Sequence, residues 1–282
     1  MHIPPITRRP LSVRVILATI VIGVLGLIGA GPTPITSAGG NPHEVRPTIV
    51  LVHGSFADAS GFNDVVKRLQ ARGYPTLAPS NPLRSVTGDA AYVRSVLATV
   101  DGPIVLVAHS YGGFVITNAA TGNANVKALV YVNGFAPADG ESAGDLLKDS
   151  GSMITPDHLT FRPYPTTDPA ALGLDAYINA DVFREAFAAD VDRRTAAVMA
   201  ATQRPIELAV LGQPSGPPAW ETIPSYFLIG KQDNTIPPDV HRFMAQRAGA
   251  VRTIEIDASH ALMVSQPAAV VDLIVEAARE QT

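Results

Sequence analysis

Three side chains that can together make an alcohol reactive occur in order along the chain: Ser110, Asp233 and His260. A serine hydroxyl is a weak nucleophile. It needs an imidazole to take its proton and a third group to orient that imidazole. Ser110 lies in Ala108-His109-Ser110-Tyr111-Gly112-Gly113. The preceding Ile104-Val105-Leu106-Val107 is apolar and β-branched, as in a fully buried strand. The following residues, 114–120, read as a helix that Gly122 can close. A tight strand-to-helix turn would expose the hydroxyl and tolerate only small side chains two places to either side. Gly112 satisfies one of those positions and Ala108 the other, so A-x-S-x-G stands in place of the G-x-S-x-G nucleophile elbow.

The partners of such a serine belong in loops after later strands, because an open α/β sheet binds its ligands beyond the carboxyl ends of the strands. Asp233 follows an expected strand at 225–230, in Gly230-Lys231-Gln232-Asp233. His260 follows another at 251–256, in Asp257-Ala258-Ser259-His260. Asp257 and Asp139 are rival acids. Asp233 is preferred because Asn133, not an acid, occupies the slot after strand 126–132. The chemistry would be acyl transfer: Ser110 attacks a carbonyl while His260 takes its proton. An imidazole base must be neutral, so activity should fall as pH drops through about 6–7. Other chemistries lack their residues. There is no H-E-x-x-H pair or histidine cluster for zinc, no G-x-G-x-x-G for a dinucleotide, and no cysteine. Neither metal nor cofactor is expected.

The elements that must position these groups follow a rhythm. A buried run at 48–53 leads through Gly54-Ser55-Phe56 to a helical face of Phe62, Val65, Val66 and Leu69, closed by Gly73. A short strand follows at 74–79. Val93, Val96, Leu97 and Val100 mark the next helix, and strands at 103–108 and 126–132 flank the serine turn and its helix. Strand alternating with helix predicts a mostly parallel sheet with helices on both faces. From 134 to 223 the rhythm breaks. Ninety or so residues are too long for a plain loop, and Val182, Phe183, Ala186 and Phe187 trace a helical face. The expectation is an inserted, mostly helical lid, dividing a core of 46–133 and 224–282. The last helix opens at Pro267.

Length and composition set the frame. At 282 residues the chain makes one large domain or one domain with an insertion. Hydrophobic residues at 46% against 16% charged supply a sizeable core. A net charge of −4 with no basic run gives no reason to expect a nucleic-acid partner. Residues 1–40 have the grammar of a signal peptide, or failing cleavage a membrane anchor: Arg8, Arg9 and Arg14, then an uncharged stretch from Val15 to Ala30, then Thr36-Ser37-Ala38. Thr7-Arg8-Arg9-Pro10-Leu11 fits a twin-arginine signal. A secreted or periplasmic location follows as an expectation. Oligomeric state is not legible.

His53-Gly54, Ala108-His109-Ser110-Tyr111-Gly112-Gly113, Gly230-Lys231-Gln232-Asp233 and Ser259-His260 together resemble the α/β-hydrolase superfamily, over about residues 46–278. The resemblance is closest to its lidded branch of small-ester carboxylesterases, methylesterases and hydroxynitrile lyases. It implies Ser110 as nucleophile, His260 as general base and then acid, and Asp233 as its orienting carboxylate. It also implies an oxyanion hole from the backbone N–H groups of Ser55 and Tyr111. Phe56 is a candidate pocket wall, and Trp220 either a pocket wall or an anchor for the lid. His53 would brace the oxyanion loop and His109 pack beneath the elbow. The implied activity is hydrolysis of a small-molecule carboxylic ester. The alternatives are another triad activity (lyase, cofactor-free peroxidase or small peptidase) and a non-catalytic binder. Lyases of this branch often use a lid lysine, and here the insertion offers only Lys148.

Overall fold

A computed structural model of the chain describes residues 46–168 and 170–280. The expected signal or anchor at 1–40 lies outside them. Six strands form one parallel sheet: β1 (Thr48–Val52), β2 (Thr76–Leu77), β3 (Ile104–Ser110), β4 (Val126–Gly134), β8 (Ser225–Gly230) and β9 (Arg252–Ile256), in the order β2-β1-β3-β4-β8-β9. Alternate residues of one strand feed opposite cores. Val50, Val52, Leu106, Leu129 and Tyr131 pack on one face, and Ile49, Leu51, Val105, Val107 and Val130 on the other. Such two-sided burial is why these strands read as continuous apolar runs.

Helices cover both faces. The first face takes α2 (Val86–Leu97), α3 (Gly112–Ala119) and α7 (Pro238–Arg247), through residues such as Val93, Phe114 and Met244. The second takes α1 (Asn63–Ala71), α8 (Leu262–Ser265) and α9 (Pro267–Arg279), through Val65, Leu69, Val270 and Ile274. Ser85 caps α2 by accepting the Gly88 N–H at 3.0 Å. Because all six strands run parallel, the residues that follow β1, β3, β4, β8 and β9 emerge at one edge of the sheet.

The segment between β4 and β8 corrects one expectation. It is not mostly helical. Beside α4 (Ala143–Leu147), α5 (Phe183–Phe187) and α6 (Arg193–Thr202) it carries a second, antiparallel sheet of β5 (Leu159–Pro165), β6 (Leu172–Ile178) and β7 (Ile206–Glu207), with β6 in the middle. Pro163 and Pro165 hid β5, but proline is compatible with an edge strand, where no ladder partner is needed on one side. Gly173 hid β6. Its missing side chain is filled by its cross-strand partner Tyr164, whose ring would lie 2.2 Å from a Cβ there.

Candidate active site

Ser110 ends β3 with φ at 55°, in the left-handed region, where a non-glycine residue is strained by about 1–3 kcal/mol. Its surroundings enforce this. Its carbonyl accepts the Phe135 N–H at 3.1 Å. A Cβ on Gly54 would sit 2.5 Å from the Ser110 Cβ, one on Gly112 2.4 Å from the Val52 carbonyl oxygen, and one on Gly113 1.9 Å from that of Phe135. The elbow is therefore wedged against the end of β1 and the end of β4.

Asp233 and His260 meet at the same edge. His260 Nδ1 lies 2.7 Å from Asp233 Oδ2. Asp233 Oδ1 accepts the N–H groups of Thr235 and Ile236, each at 2.8 Å. Both side chains are buried. Burial opposes the Asp233 charge, but His260 and His241 outweigh it and hold the carboxyl below the usual carboxylate range. A carboxylate only accepts, so His260 carries a proton on Nδ1, which in the neutral imidazole leaves Nε2 as the acceptor. That Nε2 is buried and has no hydrogen-bond partner. Its bond to the Ser110 hydroxyl is not formed here, a common looseness in catalytic sites without substrate. The carboxylate on His260 is thus Asp233; Asp257 instead pairs with Lys231 at the surface, at 2.8 Å.

His109, beside Ser110, ties the elbow to the His260 loop. The two imidazole rings lie 4.6 Å apart, and His109 Nε2 donates to the His260 carbonyl at 3.0 Å. Burial, aided by His260, pushes the His109 imidazole well below its ordinary value, so it is a neutral packing group. Asn133 was passed over in the sequence as merely not an acid. It adopts φ of 42° at the end of β4, accepts the Gly230 N–H at 2.7 Å and donates to the carbonyls of Ser259 and His260 at 3.0 and 3.2 Å. It joins the Asp233 loop to the His260 loop. His241 was also missed. Its Nε2 lies 3.1 Å from the same Asp233 oxygen that holds His260.

The loop after β1 supplies the other side. His53 Nε2 accepts the Asn81 N–H at 2.9 Å, so its Nδ1 donates to the Gly54 carbonyl, also at 2.9 Å. Burial lowers this imidazole too and keeps it a neutral brace. Ser55 and Tyr111 are buried, and among the described residues neither backbone N–H has an acceptor. The Tyr111 hydroxyl donates to Asp89 at 2.9 Å. Phe56, with φ of 59°, donates its N–H to the Arg204 carbonyl at 2.9 Å. It lines a cavity of about 210 Å³ with Met199 and Met263. Trp220 lies elsewhere. Its indole N–H donates to the Pro137 carbonyl at 2.9 Å and its ring faces Arg247, an anchoring geometry.

The insertion is stitched across these loops. Ala261 N–H donates to the Phe187 carbonyl at 2.9 Å, Thr235 Oγ1 to that of Ala186 at 2.7 Å, and the Ser259 hydroxyl to Asp190. Ser110 is only 4% exposed. Among the described residues no group of three or more His, Asp or Glu side chains is arranged to hold a metal ion.

A model of the alpha/beta hydrolase family matches residues 49–273. The alpha/beta hydrolase nvfD of Aspergillus novofumigatus is 27% identical over 259 residues, covering 84% of this chain and 98% of its own. A pyrethroid hydrolase of Sphingobium wenxiniae is 25% identical over 254 residues, covering 81% and 86%. The crystal structure of polyneuridine aldehyde esterase superposes with a TM-score of 0.71 at 18% identity, over 82% of this chain and 98% of that one, a likeness of fold.

Proposed function

Since the chain belongs to the alpha/beta hydrolase family, we propose that it hydrolyses carboxylic esters, with Ser110 as nucleophile, His260 as base and Asp233 as the carboxylate that orients it. The observation that carries this reading is the His260 imidazole. Its Nδ1 is tied to a buried Asp233 carboxylate at 2.7 Å, while its buried Nε2 has no partner. It stands at the strand edge where Ser110 is held in a strained turn. The name of the pyrethroid hydrolase supports a hydrolytic reaction.

In this reading Nε2 takes the proton of the Ser110 hydroxyl as its oxygen attacks the ester carbonyl. The negative charge that develops is met by the N–H groups of Ser55 and Tyr111. In comparable sites removing one such donor costs about 10²–10³ in turnover. His260 then protonates the leaving alcohol, and water repeats the sequence on the acyl-enzyme. The insertion acts as a lid, and its Thr195, Met199 and Gln203 line the cavity that Phe56 borders. Export through the arginine-led segment at the N-terminus completes the reading, and N-terminal sequencing of protein recovered outside the cytoplasm tests it.

Fluorophosphonate labelling tests the chemistry. The expected result is one adduct on Ser110, lost in Ser110→Ala and His260→Ala, with p-nitrophenyl acetate hydrolysis lost in parallel. Folded wild-type protein that takes no label at Ser110 refutes the proposal and leaves a non-catalytic binder.

A further inference from the structure

Asp233 serves more than one imidazole. Its Oδ2 meets His260 Nδ1 at 2.7 Å and His241 Nε2 at 3.1 Å. His241 projects from α7 and is buried. With Thr235 and Ile236 on Oδ1, the carboxylate has four donors, two on each oxygen. Each imidazole must carry a proton on the nitrogen that faces the carboxylate. His241 is therefore protonated at Nε2. Its Nδ1 is buried with no partner, so a second proton there would be a buried donor with no acceptor. The other groups facing this cluster are His109 from β3, within 4.6 Å of the His260 ring, and Asp190 from the insertion, occupied by the Ser259 hydroxyl.

We propose that His241 is a positioning residue for the proposed triad: it gives the oxygen that holds His260 a second N–H, fixing the Asp233 carboxylate in place and sharing its charge. The proposal rests on the Ser110, His260 and Asp233 reading above. Two consequences follow. Without His241 the carboxylate has one anchor fewer, so His260 is aimed less well at Ser110. The freed charge also attracts the His260 proton more strongly, so the base is lost to protonation at higher pH.

The test uses His241→Leu and His241→Gln in the full chain, since the glutamine amide can return an N–H to the carboxylate. With p-nitrophenyl acetate, His241→Leu should lower kcat about tenfold, the effect of one donor to a charged group, with KM little changed. The acid limb of its rate profile should move up by about one pH unit. His241→Gln should restore both. A leucine variant with the wild-type limb and kcat overturns the proposal. So does equal damage in both variants accompanied by equal loss of stability, the mark of packing alone. If the leucine variant does not fold, long-range ¹⁵N spectra of the wild-type imidazoles decide the matter: a proton on Nε2 of His241 supports the proposal, and one on Nδ1 overturns it. Absence of label on wild-type Ser110 would refute the triad itself, an outcome separate from that spectrum.

Discussion

Gly112→Ala should leave a folded protein that has lost its catalyst. The added Cβ would fall 2.4 Å from the Val52 carbonyl oxygen and 3.0 Å from that of His53. Ordinary contact for such a pair begins near 3.4 Å, so the gap must open by about 1 Å. β1 cannot supply the movement cheaply, because Val52 is laddered to Ala108 within the sheet and both are fully buried. The first turn of α3 must yield, and it carries Ser110 and the Tyr111 N–H with it. Overpacking of this size costs about 1–3 kcal/mol of stability. A 1 Å misplacement of a reacting group costs about 10²-fold in rate. The expectation is a fall in kcat/KM of about that size, while urea denaturation still shows one cooperative transition. Gly122→Ala is the control. Unlike Gly112 it has a positive φ, at 76°, and nothing lies within 4 Å of its Cβ position. It should lose about 1 kcal/mol to backbone strain and none of its rate. A Gly112→Ala enzyme within threefold of wild type would refute the claim that the elbow is held against β1.

Three further outcomes follow from buried polar groups. Asp233→Asn should abolish most turnover, by about 10⁴-fold where an orienting carboxylate of this kind is neutralised, with kcat on p-nitrophenyl acetate as the measure. Stability should fall with acid from pH 6.5 downward. Burial, aided by His260, holds His109 well below its ordinary value, so below about pH 6.5 only the unfolded chain takes the proton. A depressed folded value means its stabilisation is complete above 6.5 and lost as pH falls, at about 1.4 kcal/mol per pH unit. His53 adds in the same sense. Urea midpoints that do not change between neutral and mildly acidic buffer would contradict this. Tyr111→Phe should cost about 1–3 kcal/mol, because it removes a donor from the buried Asp89. It should leave kcat/KM nearly intact, since its backbone N–H remains.

What the sequence made legible, and what it did not, follows from the range of the forces involved. The turn at Ser110 is local: a strand run, a helix run and small residues between them can be read within residues 104–120. Its φ of 55° is the strain that such a turn stores. The loops of Asp233 and His260 were legible because parallel strands deliver their carboxyl ends to one edge, a rule of topology. The second sheet was not legible. β5 is mostly exposed, the burial of β6 does not alternate strictly, and two prolines and a glycine mask their pattern. Asn133 and His241 were hidden for another reason. Each is defined by packing between separate elements: His241 is only 8 positions from Asp233, and reaches back to it from the helix that follows its loop. Asn133 reaches 126 positions along the chain to Ser259, and no period or motif encodes that reach. Its one local signal is that asparagine tolerates the left-handed backbone it adopts.

The placement of unsatisfied groups joins the geometry to the chemistry. A buried donor or acceptor without a partner costs about 1–3 kcal/mol, and folded proteins keep few of them. Among the described residues the buried His260 Nε2 has no partner, and neither have the N–H groups of the buried Ser55 and Tyr111. Tyr111 is bonded to Ser110, and Ser55 follows Gly54, whose backbone touches the Ser110 side chain. By contrast the Asp233 carboxylate one step behind them is fully engaged, with four donors. The supporting carboxylate is thus locked, while one imidazole nitrogen and two backbone donors beside Ser110 are left open; among the described residues the His109 and His241 Nδ1 atoms are also buried without partners. In the proposed reaction the two N–H groups are what the oxyanion on the substrate's former carbonyl oxygen requires, and the His260 Nε2 is what the Ser110 proton requires.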